Sequence, residues 1–147
     1  MWDDTSCGIG SIGMYDDPYP VQVHFVDWIN FTVPARVFDN GNGTTQSVVK
    51  GTAAGIDGTV YTIEFHLVWT SVDTGQTAIR AGFMDWRVMQ QGSAVVSETR
   101  NLSINVVRQD DGTWLTQVDK PLVPPVETHG YSLSGFLGIH PYPCPGS

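Results

Sequence analysis

From Thr59 to Thr70 the chain alternates with period two. Tyr61, Ile63, Phe65, Leu67 and Trp69 fall on one side and Thr62, Glu64, His66 and Thr70 on the other, with Val60 and Val68 as apolar exceptions. Successive side chains of a strand point to opposite faces, so this run specifies a half-buried antiparallel strand and rules out a helix, whose apolar stripe returns every three to four residues. Val72-Asp73-Thr74-Gly75-Gln76 follows as a hairpin turn, with residues 77 to 90 as the partner strand. Inside that partner the apolar parity slips, from Ile79, Ala81 and Phe83 to Met84, Trp86 and Val88. One extra residue reverses which side chains face a core, so the slip predicts a bulge near Gly82.

The rest of the chain supports the same class. Val21, Val23 and Phe25 alternate until Asp27-Trp28-Ile29 interrupts them, and Phe31, Val33, Ala35 and Val37 resume, with Pro34 marking an edge position or a bulge. Asp39 to Gly43 is a turn, Ala94 to Arg108 buries Leu102, Ile104 and Val106, and Asp110-Asp111-Gly112 turns into Trp114 to Val118. The 16 glycines and 9 prolines interrupt the chain too often for long helices. The expected fold is all-β: a single antiparallel β-sandwich or jelly-roll-like domain, with a closed antiparallel β-barrel as the alternative.

Three segments divide the chain. Residues 1–20, with Gly8, Gly10, Gly13, Pro18 and Pro20, read as an irregular N-terminal arm; 21–120 form the antiparallel domain; 121–147 form a proline-rich C-terminal arm with one short strand around Tyr131 to Ile139. The sandwich is favoured over the barrel because such arms need surfaces to lie against, and open sheets have edges to cover.

Charge narrows the partners. The net charge is -8 and the only lysines are Lys50 and Lys120, which excludes nucleic acid and anionic lipid, both of which need clustered Lys and Arg. No window approaches the roughly 20 apolar residues of a membrane helix, and no basic-then-apolar signal peptide opens the chain. The expectation is therefore no membrane insertion and cytoplasmic synthesis, with incorporation into a virion as a destination. Cys7 and Cys144 are placed to tie both arms to the body through a disulfide; in a reducing compartment two free thiols are the expected state.

Reactive groups are sparse. Glu64 and His66 share the polar face of one strand and Asp85 lies on its hairpin partner, so these three are the candidates if the chain is an enzyme; alternation places them on a solvated face. The histidines, His24, His66, His129 and His140, have no short metal-ligand spacing, and the Asp39 to Gly43 segment lacks the distal glutamate of a calcium loop, so neither a metal nor another cofactor is expected. Tyr61, Phe65, Trp69 and Trp86 are candidates to line a ligand cavity. Trp2, Trp28 and Tyr142, in irregular segments, are candidates for contacts with a partner.

With no catalytic cluster and two arms, the favoured function is a non-enzymatic structural or assembly protein. A virion component such as a capsid decoration or tail protein fits, joined to copies of itself or to other structural proteins through arms and sheet edges. Two alternatives stand beside it: a barrel that binds or cyclises a small hydrophobic ligand, of the lipocalin or barrel-cyclase type, and a carbohydrate-binding module using exposed Trp and Tyr.

Overall fold

The computed structural model describes residues 3–16, 24–70, 79–90, 94–119 and 127–140. Nine strands carry them: β1 (Asp3–Asp16), β2 (His24–Asp39), β3 (Thr44–Ala54), β4 (Val60–Thr70), β5 (Ile79–Gln90), β6 (Ala94–Arg108), β7 (Trp114–Asp119), β8 (Glu127–Gly130) and β9 (Ser132–His140). Each strand from β1 to β7 pairs antiparallel with the next, β7 pairs with β9, and β9 pairs with β1. Eight strands thus close into one antiparallel barrel, and β8 adds to the free length of β6.

The all-β expectation holds in the form of its alternative, the closed barrel. The sandwich expectation is corrected: β5 ladders to both β4 and β6, and β9 joins β7 to β1, so no strand leaves for a second sheet. The two faces read from the alternation are the inside and outside of a single wall.

The irregular arms are corrected as well. Asp3–Asp16 is a 14-residue strand; in the proline-rich segment the short strand expected around Tyr131 to Ile139 is present as β9, and β8 precedes it. Glycines that suggested irregularity are points of close approach: a Cβ on Gly8 would strike Val49, one on Gly10 would strike Phe31, and one on Gly13 would strike the Trp28 ring. Cys7, on the outward side of β1, is disulfide-bonded rather than free; the chain's other cysteine, Cys144, lies outside the described residues.

Pro34 lies inside the long β2 strand, and the β2–β3 ladder runs only from Ala35–Val49 to Asp39–Thr45. A proline has no N–H to give that ladder. Pairing returns in the same register at the Ile29–Gly55 bridge.

Side chains fill the barrel. Phe65, Ile63, Leu67 and Trp69 from β4, Phe31 and Val33 from β2, Met84 and Trp86 from β5 and Leu133 and Leu137 from β9 are all buried. Phe31 stacks on Phe65 with centroids 5.9 Å apart, and Trp69 packs against Trp114 at 5.7 Å. At one end the Arg80 guanidinium lies 5.9 Å from the Trp114 ring centre. At the other, Asp27 is wholly buried. Its carboxylate accepts the Trp28 N–H at 2.8 Å and the Tyr61 hydroxyl at 2.7 Å. The β3–β4 turn folds over it, with Gly55 so close that a side chain there would collide with the carboxylate.

No bulge occurs near Gly82. β4 and β5 keep one register from Tyr61–Gln90 to Trp69–Gly82, and Ile79, Ala81 and Phe83 face outward throughout. Gly82 faces inward without a side chain, against Trp69. The irregularities lie in β6, where Arg100 and Asn101 together oppose Asp85 and Val96 is an extra residue between the Val88–Ser97 and Met89–Val95 pairs.

Candidate functional site

Two regions of the outer wall carry the features that distinguish this barrel. The first is a charged belt across β4, β5 and β6. His66 Nε2 lies 2.8 Å from Glu64 Oε1, Lys50 Nζ lies 3.9 Å from Glu64 Oε2, and the Arg87 Nε–H donates to Glu98 Oε2 at 2.9 Å. Asp85 Oδ1 accepts the Asn101 N–H at 2.8 Å, which caps the β6 bulge where Asn101 has φ of 59°. A shallow hollow of about 310 Å³ runs between these side chains.

The candidate catalytic residues Glu64, His66 and Asp85 therefore do come near one another, but on the outside of the wall. His66 is 48% exposed, and Asp85 is engaged by the bulge. Water screens charges in such a setting. Among the described residues no three His, Cys, Asp or Glu side chains are placed to hold a metal ion.

The candidate ligand-lining residues point inward, and all four are packed: Tyr61, Phe65, Trp69 and Trp86 are at most 4% exposed. Trp86 also spends its N–H on Ser97 Oγ at 3.0 Å, and Ser97 in turn donates to the Tyr131 carbonyl at 2.6 Å. This chain of bonds holds the kink at Gly130–Tyr131, where the last strand passes from β6 to β7 and β1.

Of the candidate partner residues, Trp2 and Tyr142 lie outside the described residues. Trp28 rests on the outer wall against Gly13, and its Nε1–H lies 2.7 Å from Ser11 Oγ and 3.1 Å from Asn30 Oδ1.

The second region is a wall without charge. Outward positions on β5 from Ile79 to Phe83, on β6 from Ser103 to Val107, on β7 at Leu115 and Gln117, on β9 at Phe136 and Gly138 and on β1 at Ile9 and Ser11 carry no ionisable group. Large apolar side chains stand out from it: Phe83 is 58% exposed, Ile79 49% and Phe136 47%, with Val68 directly opposite Phe83 in the ladder. Scattered apolar residues are ordinary on a protein surface; here several stand on neighbouring strands with no charge at the outward positions between them.

Sequence reasoning missed this wall because it assigned Ile79, Ala81 and Phe83 to a core. It also missed Asp27, Arg80 and Thr116 as inward polar groups; the signal for Asp27 was the break in alternation at Asp27-Trp28-Ile29.

Among the described residues no helix is long and apolar enough to cross a membrane. No protein-family model, curated protein or solved structure matches the chain.

Proposed function

We infer that the chain is a non-enzymatic structural or assembly subunit that docks on further copies of itself through its uncharged outer wall. A virion component such as a capsid decoration or tail protein is the class of object this describes. The observation that carries the reading is the wall exposing Val68, Ile79, Phe83 and Phe136 with no charge among its outward positions.

Two considerations support it. The interior is occupied by packed side chains, so recognition falls to the outside. At a net charge of -8, two copies repel over most of their surface, and a charge-free wall is where they approach without apposing like charges. The sheet-edge route expected from an open sandwich gives way to contact through the wall, because closure of the barrel pairs most strand edges and leaves the β6–β7 gap as an exception.

Native mass spectrometry across a range of protein concentrations tests the reading. Wild-type protein is expected to form oligomers whose population grows with concentration, and Phe83→Glu, at an exposed position, is expected to return it to monomer with its fold intact. His66→Ala in the charged belt should leave the oligomers unchanged. A wild-type protein that stays monomeric at every concentration would remove the reading.

A further inference from the structure

Between Leu102 and Val106 no described strand ladders to the edge of β6 that faces β7. β6 ladders to β5 on one side, but on the other only Val107 and Arg108 meet β7, and only Ser97 to Arg100 meet β8. β7 is likewise laddered along its length to β9 and to β6 only at Trp114 and Leu115. This gap differs from the one beside Pro34, where the register resumes. From Leu115 to Gly130 the chain advances 15 residues, whereas β6 opposite advances 10 from Ser97 to Val107, so the ladders flanking the gap are out of step.

A hollow of about 360 Å³ lies in the gap. Leu102, Ile104 and Thr116 form its floor, Asn105, Gln117 and Phe136 part of its rim, and among the described residues no side chain lining it is charged.

Two strand edges face each other across this seam, and each presents backbone N–H and C=O groups at alternate residues. A group that satisfies both must offer donors and acceptors on both its sides, repeating at the spacing of a strand. An extended peptide has that pattern and a small apolar molecule lacks it. The opening from Leu102 to Val106 is about 13 Å long at about 3.3 Å per residue, room for about four residues.

The geometry points to the seam as a strand-addition site that takes an uncharged extended segment from a different protein. A second copy is a poor donor: its described strands are already laddered, the segments 17–23, 120–126 and 141–147 have a proline in every four-residue window, and the proline-free segment 71–78 carries the charge of Asp73 and a glycine at Gly75. Proline withholds the N–H that one of the two edges needs. The inference does not rest on self-association, since both edges belong to a single chain.

Amide hydrogen exchange and peptide titration of the ¹⁵N-labelled chain test it. In the free protein, alternate amides between Leu102 and Val106 and between Thr116 and Val118 are expected to exchange far faster than the amides of β4. The probe is a blocked hexapeptide alternating Val and Thr. It should bind saturably, shift resonances of β6 and β7 at the seam, and slow those amides. A copy N-methylated at alternate residues loses its donors along one edge and should bind at least about tenfold more weakly.

Seam amides as protected as those of β4 in the free protein would overturn the inference, as would absence of binding. Equal affinity for the methylated copy would also overturn it, reducing the seam to an apolar groove. Because the Phe83→Glu oligomer assay is separate, the seam can fail while the assembly reading stands, and the reverse.

Discussion

Asp27 is the residue on which one end of the barrel turns. A buried carboxylate is tolerated only when it is hydrogen-bonded, and here a backbone amide and a phenol serve it while the β3–β4 turn shuts out water. Asp27→Ala would strand the Tyr61 hydroxyl, so a loss of about 2–4 kcal/mol is expected from urea unfolding. In the turn, Asp57 is held below the usual carboxylate range chiefly by the backbone amide of Thr59.

Tyr61 gives a pH signature. Burial first, and then the Asp27 carboxylate, push its hydroxyl above the ordinary phenol range. A raised value in the fold means this contribution to stability is intact below about pH 10, the unfolded value, and is lost as pH rises toward the folded one. The urea midpoint of wild type should therefore fall above about pH 10 more steeply than that of Tyr61→Phe, which itself starts about 1 kcal/mol lower for the lost hydrogen bond. Parallel alkaline losses in the two proteins would contradict this. The break in alternation at Asp27-Trp28-Ile29 marked the position, but not its burial, because an aspartate beside a tryptophan reads equally well as a turn.

Among the elements, β4 was fully legible, because its apolar parity and its burial coincide from Tyr61 to Trp69. β5 was not. Its Ile79, Ala81 and Phe83 are apolar yet outward, and its Arg80 is inward, so hydrophobicity pointed to the wrong side for half the strand. The failure is physical: parity arguments assume the outer wall is polar, and here its outward positions are apolar and uncharged. β1 escaped notice because its glycines, which make room for Val49, Phe31 and Trp28, have no side chain with which to display a period.

The β6 bulge offers a test at this scale. Asn101 adopts a left-handed conformation capped by Asp85, so Asn101→Gly should be close to neutral while Asn101→Val should cost about 1–2 kcal/mol in thermal unfolding. If Asn101→Val is as stable as wild type, the bulge is not where the ladder places it.

For the whole molecule, closure explains both the success and the limit of the sequence reading. Strand number and hairpin connectivity follow from local turns, whereas β9 pairing with β1 joins the two ends of the chain, a long-range choice that no local pattern encodes. Cys7 sits in β1 beside that closure, its ladder partner His140 being the last residue of β9. Reducing the disulfide is expected to cost about 2–5 kcal/mol, by comparison of urea midpoints with and without reductant.

The charged belt, legible as a solvated face from the alternation, is expected to matter little to the fold. Glu64→Gln and His66→Ala should each change stability by less than about 1 kcal/mol, as exposed ion pairs do.

We propose that copies of this barrel meet through its uncharged wall. Amide chemical shifts followed as the labelled protein is concentrated test it most directly. Shifts confined to β5, β7 and β9 around Phe83, Leu115 and Phe136 are predicted, with Glu64, His66 and Arg87 silent. Shifts centred on the charged belt, or spectra that do not change with concentration, would contradict it.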